Sequence, residues 1–524
     1  MISAHYDDLK LVVEGVASSA DKAVMKNLGA KQITSDRYLL PGIRASYYRL
    51  CRALGKEVDV QSSPSIKYGS FVPDSDSWGR LYDFQREAIG FLTSSRLRGS
   101  MMCLSPGLGK TAVSIVSARY LDAKKILVIA PLTLLRTWER EIRIWSDESA
   151  LLLHGVSDKI DFSSRWVVAN YDTVVRNESV FSNQQWDLIV LDESILVKTR
   201  SAKRTKVIRK VTANADRVWM LSGSPTSRYL DDLFAQLQIL LPKIFTSYWR
   251  FAEDYCYIER DQWGWSVVGS RQNIDMQKEF EDIMFVRSMD DVIQLPEELQ
   301  ETVYLDLLYR QKQVYNKLLK EFKAMLASGK EMTVPNRMAQ LVRLQQVVSG
   351  LRTLDPSGDD VSAKFDAIEE LLEVERAEPP VLIWTHWVET GKALHERLSP
   401  TWTVARINSD TPLEERQAII DAFQGGRLQI VIMSIGTGKY GLTLTKAKTI
   451  IYCDRSWDAD AIFQSSFRVR RIGLDHSPVV ISLQCPGTTD ELVTSNLIGK
   501  FRDIARLTNT DLLALLEQMG GSNA

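Results

Sequence analysis

The chain lacks most of the features that tie a protein to an oxidising compartment or a membrane. Its five cysteines stand alone at positions 51, 103, 256, 453 and 485, with no CxxC pair. That argues against a zinc ribbon or a disulfide framework and suits a reducing cytosol. No signal peptide is evident, and no apolar run approaches the ~18 residues of a membrane span. Charge of one sign is also missing. The formal net charge is −1, so no global field draws the chain to nucleic acid, and any polyanion site must come from a local basic patch. No short repeat or low-complexity tract is evident. With 45% hydrophobic and 25% charged residues over 524 positions, the composition is that of a globular chain long enough for about three or four domains.

Against this background one pair of segments carries the chemistry. Residues 104–111 read LSPGLGKT, and about eighty residues on, 191–194 read LDES. A small-residue loop ending in Lys-Thr lets the backbone N–H groups of Pro106-Gly107-Leu108-Gly109-Lys110-Thr111 close around phosphates, proline itself contributing only its ring. Lys110 reaches the β- and γ-phosphates, and the Thr111 hydroxyl holds Mg²⁺. The strict P-loop pattern has Gly where this chain has Leu104. The flanks supply the missing context, because 100–104 reads as a buried strand and 112–120 as a helix. The apolar run 188–191 then presents Asp192 to hold the metal and Glu193 to activate a water. Together these segments predict ATP hydrolysis.

Short apolar runs at 126–130, 166–169, 188–191 and 218–221 alternate with helical patterns, which predicts a parallel sheet with crossover helices. A second alternation follows at 381–384, 403–407, 430–433, 450–454 and 479–484. Between them, 307–328 and 336–351 have helical periodicity and 263–270 has β character. The N-terminal segment reads as a small module with strands at 11–13 and 38–40 and an amphipathic helix at 43–54. The Ser/Pro/Asp/Gly-rich stretch 61–78 reads as a linker. The expected domains are therefore 1–75, an accessory module and linker; 76–245, a first α/β lobe; 246–360, a mainly helical insertion; and 361–524, a second α/β lobe. Most of the thirteen tryptophans are expected in the core, Trp263 and Trp265 included.

In the second lobe, residues 464–473 read QSSFRVRRIG. Arg468 and Arg471 are three apart and share a face if the segment is helical. A guanidinium opposite a P-loop stabilises charge on the transferring phosphoryl group.

With this block the chain resembles superfamily 2 helicases, specifically the Swi/Snf-like double-stranded-DNA translocases, over roughly residues 81–500. LYDFQREAI (81–89) resembles the glutamine motif, which implies that Gln85 reads adenine. PGLGKT resembles motif I, and APLTLLRTWEREI (130–142) resembles motif Ia. ANYDTV (169–174) resembles Ib, LDES motif II and LSGSP (221–225) motif III. VLIWTHW (381–387), SIGTGKYGLTLTKA (434–447) and QSSFRVRRIG resemble motifs IV, V and VI. FVRSMDDVIQLPEE (285–298), SAKFDAIEELL (362–372) and DRSWDAD (454–460) resemble further marks of the Swi/Snf branch.

The resemblance implies an α/β fold with two RecA-like parallel-sheet lobes, a helical insertion and a small N-terminal α+β module. It implies ATP and Mg²⁺ as cofactors, Arg468 and Arg471 as arginine fingers, and DNA as partner of a monomeric motor. It implies DNA contacts from Asn170, Thr385, Ser434 and Thr443. The chain departs from the pattern at Ser194 and Ile195, where the family has Ala/Gly-His, and at Arg470, where many members have His. Compact phage-encoded members carry D-E-S forms of motif II, and the chain looks closest to those. A cytoplasmic location is expected, that of the bacterial host if the chain is phage-encoded.

Between 198 and 210 stand seven basic residues and no acid: Lys198, Arg200, Lys203, Arg204, Lys206, Arg209 and Lys210. Such density suits phosphate neutralisation, and tracking independent of sequence is expected. Trp457 is a candidate for stacking on bases. KNLGAKQITSDRYLLP (26–41) resembles small substrate-recognition modules that precede annealing helicases, which favours forks and junctions as substrates. The expected activity is thus a DNA translocase acting in fork remodelling, branch migration or annealing. Two alternatives are an RNA-dependent ATPase and a non-motor nucleic-acid-binding scaffold.

Overall fold

The computed structural model describes residues 2–7, 9–60, 76–155, 160, 162–226, 229–261, 264–292, 296–327, 334–374, 376–437, 444–471 and 474–494. The chain forms two compact units that divide between Val292 and Ile293.

The first unit is built on a seven-stranded sheet, all of whose described pairings are parallel. Its order is Met284–Arg287, Gly99–Leu104, Ala215–Ser222, Trp186–Asp192, Ile126–Ala130, Trp166–Asn170, Ala150–Leu153. Helices cover both faces of a parallel sheet, so its central strands are apolar throughout. Ile126–Ala130 and Gly99–Leu104 are buried at every position. The register sets Asp192 beside Leu221 and Ser222 beside Cys103. Three adjacent strands therefore end together, at the P-loop, the LSGSP turn and Asp192. Such strand ends are where open α/β sheets bind ligands.

A five-stranded mixed sheet precedes it, in the order Lys31–Gln32, Tyr38–Pro41, Lys10–Glu14, Ser3–Asp7, Asp59–Val60. Helices Ser19–Asn27 and Arg44–Leu54 complete this module. The second helix faces two ways. Leu50 packs in the module's own core, while Ile43 just before the helix and Ala45 within it belong to the core of the large sheet. Charged pairs reinforce the contact. Arg49 meets Asp254 at 2.6 Å, Arg44 meets Glu281 at 2.5 Å, and Arg52 pairs with Glu279. The Arg44 N–H donates to Asp282 at 2.9 Å. Burial raises the Asp282 carboxyl to about 6, against the opposing pull of that bond.

The second unit holds a six-stranded parallel sheet, ordered Leu299–Tyr304, Val479–Gln484, Thr449–Tyr452, Val381–Thr385, Ile430–Ser434, Val404–Ile407. Its core includes Ile383, Ile432, Ile451 and Ile481. The two alternating patterns in the sequence are thus two RecA-like lobes. The expected helical insertion is more mixed than its periodicity suggested. Helices Tyr309–Ala327 and Val334–Ser349 are present. The same stretch also forms the hairpin Cys256–Asp261/Gly264–Ser270 and lends one strand to each large sheet. Met284–Arg287 has only four residues, and Leu299–Tyr304 reads LQETVY and is nowhere fully buried, so a search for apolar runs does not find them. The stretch expected as a linker lies outside the described residues up to position 75 and continues as helix Asp76–Gly79.

Candidate nucleotide site and nucleic-acid interface

The loop after Gly99–Leu104 turns on two glycines in the left-handed region, Gly107 at φ +91° and Gly109 at φ +79°. Gly109 is the N-cap of helix Lys110–Tyr120. A Cβ there would lie 2.4 Å from Gln85 Nε2, so only glycine fits. Gln85 sits in the first turn of helix Asp83–Ser94. Its Oε1 accepts from the Tyr82 N–H at 3.0 Å, and its Nε2 donates to the Leu108 carbonyl at 3.0 Å. The residue expected to read adenine therefore also ties the glutamine motif to the phosphate loop. Lys110 Nζ donates to the Leu104 carbonyl at 2.9 Å. Its charge is held at the mouth of the loop, and Thr111 follows it at the start of the helix. Ser105 joins the loop to the edge strand: its N–H donates to the Arg287 carbonyl and its Oγ accepts from the Met289 N–H, both at 3.1 Å.

Asp192 is 5% exposed. Its Oδ2 accepts from the Trp138 indole at 2.8 Å, and its Oδ1 from the Glu193 N–H at 3.0 Å. Its carbonyl accepts from the Tyr171 hydroxyl at 2.8 Å. Burial lifts the carboxyl above its ordinary range, outweighing the indole bond and the nearby charge of Lys110. The groups bonded to it are neutral donors, and a divalent cation would add positive charge beside that of Lys110. Oxygen donors from Thr111 and Asp192 suit Mg²⁺. Glu193 follows at φ +51°, an unusual conformation for a residue with a side chain. It opens the short turn Ser194–Val197.

Trp138 and Tyr171 were not singled out in the sequence. Trp138 belongs to helix Leu135–Ser146, whose buried face is Leu135, Trp138, Ile142 and Ser146. It reads there as an ordinary core residue, and only the fold shows its N–H aimed at a carboxylate.

In the second unit helix Ala459–Ser466 ends before both arginines. Arg468 and Arg471 lie in the turn that follows and do not share a helical face. The Arg468 carbonyl accepts from the Leu444 N–H at 2.8 Å, and the Arg468 side chain is buried. Arg471 Nε donates to the Phe467 carbonyl at 2.8 Å, and desolvation lowers its guanidinium to about 10.

The expected nucleic-acid residues are more engaged within the protein than their sequence suggested. Asn170 caps helix Tyr171–Arg176, its Oδ1 accepting from the Thr173 N–H at 2.7 Å. In the basic run, Lys198 pairs with Asp232 at 3.5 Å, Arg204 with Asp172 at 3.1 Å and Lys210 with Glu178 at 2.7 Å. Arg200 lies over the Tyr248 ring at 4.2 Å. Lys203 and Lys206, on helix Lys203–Thr212, are exposed. The acids come from other segments, so the run looked uncompensated in one dimension.

Thr385 and Ser434 pair across neighbouring strands and are buried. Ser434 Oγ bonds Thr437 Oγ1 at 2.9 Å. Thr443 lies outside the described residues, as does Trp263. Trp265 is 58% exposed, with Arg260 over its ring at 5.7 Å, and is not the packed residue expected. It stands on strand Gly264–Ser270, which is exposed or half-buried at every position but Ser270. Trp457 Nε1 donates to Gln345 Oε1 at 3.0 Å, which ties it into the second unit.

Two RecA-like lobes, with a phosphate loop and an acidic strand end in one and an arginine turn in the other, define a P-loop ATPase of the superfamily 2 class. The chain belongs to the SNF2-related family. The SNF2-related domain matches residues 84–352, and the helicase conserved C-terminal domain matches 363–473. ATP binding and hydrolysis follow from that membership.

Among curated relatives, the DNA annealing helicase and endonuclease ZRANB3 of Bos taurus is 25% identical over 495 residues, covering 90% of this chain and 44% of the relative. The putative ATP-dependent helicase/translocase YwqA of Bacillus subtilis is 25% identical over 452 residues, covering 80% and 48%. The SWI/SNF-related matrix-associated actin-dependent regulator of chromatin subfamily A-like protein 1 of Xenopus laevis is 25% identical over 431 residues, covering 80% and 43%. The chain thus spans about half the length of the curated relatives it matches. A solved structure, the Sulfolobus solfataricus SWI2/SNF2 ATPase core in complex with dsDNA, is 21% identical. It covers 85% of this chain and 97% of that one, with a TM-score of 0.38. No helix among the described residues is long and apolar enough to cross a membrane.

Proposed function

We propose that the chain is an ATP-driven translocase on duplex or branched DNA, acting in fork remodelling, branch migration or strand annealing. The observation that carries this reading is the tie between Asp192 and two motifs resembling nucleic-acid-contacting ones. Trp138 of the Ia-like helix and Tyr171 of the Ib-like segment both donate to Asp192. A strand gripped by these motifs acts directly on the nucleotide site. Relatives named as an annealing helicase and a helicase/translocase support the same reading.

In this mechanism the P-loop N–H groups and Lys110 hold the phosphates, and Thr111 and Asp192 hold Mg²⁺. The metal neutralises phosphate charge when bound. Glu193 orients the attacking water, while Arg468 and Arg471 stabilise the transferring phosphoryl group. Phosphate contacts come from Lys203 and Lys206 and from the segments around Asn170, Thr385, Ser434 and Thr443. Trp265 with Arg260 offers an exposed stacking surface. The N-terminal module selects branched substrates.

The test is ATP turnover with duplex, single-stranded, forked and four-way-junction DNA, and with RNA. Duplex and branched DNA are expected to stimulate most. Stimulation by RNA alone would favour the RNA-dependent ATPase, and absence of turnover would favour a scaffold. Replacing Arg471 with Ala should cut turnover by roughly 10³-fold with little change in ATP affinity. Loss of affinity at normal maximal rate would reassign it.

A further inference from the structure

We infer that Ser194 and Gln236 are positioning residues that couple the catalytic turn at Glu193 to the LSGSP turn. The inference rests on the reading of the chain as a DNA-stimulated ATPase. Ser194 follows Glu193 and is fully buried. Its Oγ donates to Gln236 Oε1 at 2.8 Å. Gln236, also 0% exposed, lies on helix Asp232–Leu240. Its Nε2 donates to the Pro225 carbonyl at 2.6 Å and to the Asp232 carbonyl at 3.1 Å. Every link is a hydrogen bond in a water-free interior, where an unmade bond is costly. Ile195, the next residue, is buried and has an apolar side chain.

The connection has direction as well as strength. Glu193 is held at φ +51°, so its carboxylate is aimed by a strained backbone whose next residue is the anchored Ser194. The far end of the relay is Pro225, in the turn after Ala215–Ser222, the strand that lies between the Asp192 strand and the phosphate-loop strand. The Asp232 side chain also pairs with Lys198 at 3.5 Å, at the head of the basic run. A shift of the helix start, whether driven from the LSGSP turn or from Lys198, therefore reaches Glu193 through one amide and one hydroxyl. Neither residue touches substrate. Their effect is on where Glu193 points.

The variants are Ser194→Ala, Gln236→Met, the double variant and Ser194→Thr, each in the full chain. The readouts are kcat and KM for ATP with and without saturating duplex DNA, together with thermal melting. Expected are a fall of about tenfold in kcat with DNA for each single variant and KM within twofold of wild type. The double variant should be no worse than the worse single one, because one relay is broken either way. Ser194→Thr should recover most of the rate by keeping the hydroxyl. Losses that multiply in the double variant overturn the relay. So does a change in KM and melting that Ser194→Thr fails to rescue. Wild-type turnover indifferent to DNA would instead defeat the function proposed above. The double-variant comparison in DNA-free kcat would still decide the relay.

Discussion

Each large sheet ends a central strand in a buried aspartate, and the two are compensated in opposite ways. Asp192 in the first unit receives hydrogen bonds from a neutral indole and a backbone N–H. Its carboxyl is raised by burial. Asp454 in the second unit, just past Thr449–Tyr452, faces Lys364 at 3.8 Å. Lys364 is 1% exposed and also pairs with Asp490 at 2.8 Å. Desolvation opposes its charge, yet the two aspartates hold its pKa above the ordinary lysine value. The second unit thus holds its aspartate against a buried ammonium, whereas the donors bonded to Asp192 are neutral and Lys110 acts on it without one of the hydrogen bonds described. Internal neutralisation is what a structural joint needs. A carboxylate proposed to take up Mg²⁺ needs the reverse.

The largest expected effect breaks the chemistry and spares the fold. Glu193→Gln or Lys110→Ala should reduce DNA-stimulated turnover by about 10³-fold or more. Asp192→Asn should do the same at a stability cost of about 1–3 kcal/mol, since its amide NH2 must face one of the two N–H donors that the carboxylate accepts from. A larger loss, as great as removing a buried cation, would erase the contrast between the two sites.

Next in size is the stability of the second unit. Lys364→Met leaves two buried carboxylates without their cation and should cost about 3–5 kcal/mol in denaturant unfolding. Adding Asp490→Asn should return part of it. Because the folded lysine pKa is raised, its contribution is full below the ordinary lysine range and is lost as pH rises through the higher folded value. A wild-type melting curve flat into strongly alkaline pH, with Lys364→Met equally stable, would remove Lys364 from the joint.

Trp138→Phe keeps much of the packing and deletes one donor to Asp192. A fall of roughly tenfold in kcat and a loss of about 1–2 kcal/mol are expected. Unchanged kcat would show that the indole is packing only.

The smallest effect concerns salt. Neutralising Lys203 and Lys206 should flatten the salt dependence of DNA binding by about two units if both touch phosphate. The same change at Lys198 and Arg204 should do less, because Asp232 and Asp172 already occupy them. Equal slopes for the two pairs would restore the whole run as a phosphate track.

The N-terminal module shows a limit of reading a boundary from composition. Its strands and helix were legible, yet Ile43 and Ala45 sit in the core of the neighbouring lobe. Removing residues 1–60 would strip the arginines from Asp254, Glu279 and Glu281. Truncation therefore tests stability more than substrate choice. Substitution of the exposed Lys26 and Lys31 is the cleaner probe of junction preference, read as fork-stimulated against duplex-stimulated turnover.

By itself the sequence determined the two parallel sheets, because strands buried on both faces must be apolar throughout and their helices must alternate with them. It also determined the phosphate loop, because Gly107 and Gly109 meet a backbone requirement that is local. The tertiary structure alone decided which charges remain available. Lys198, Arg204 and Lys210 lose theirs to acids from distant segments, and Arg468 lies past the helix it was expected to share. The pairing of Trp138 with Asp192 and of Ser194 with Gln236 joins residues 54 and 42 positions apart. Hydrogen bonds at that separation depend on strand register and helix packing, which no local pattern of residue types encodes.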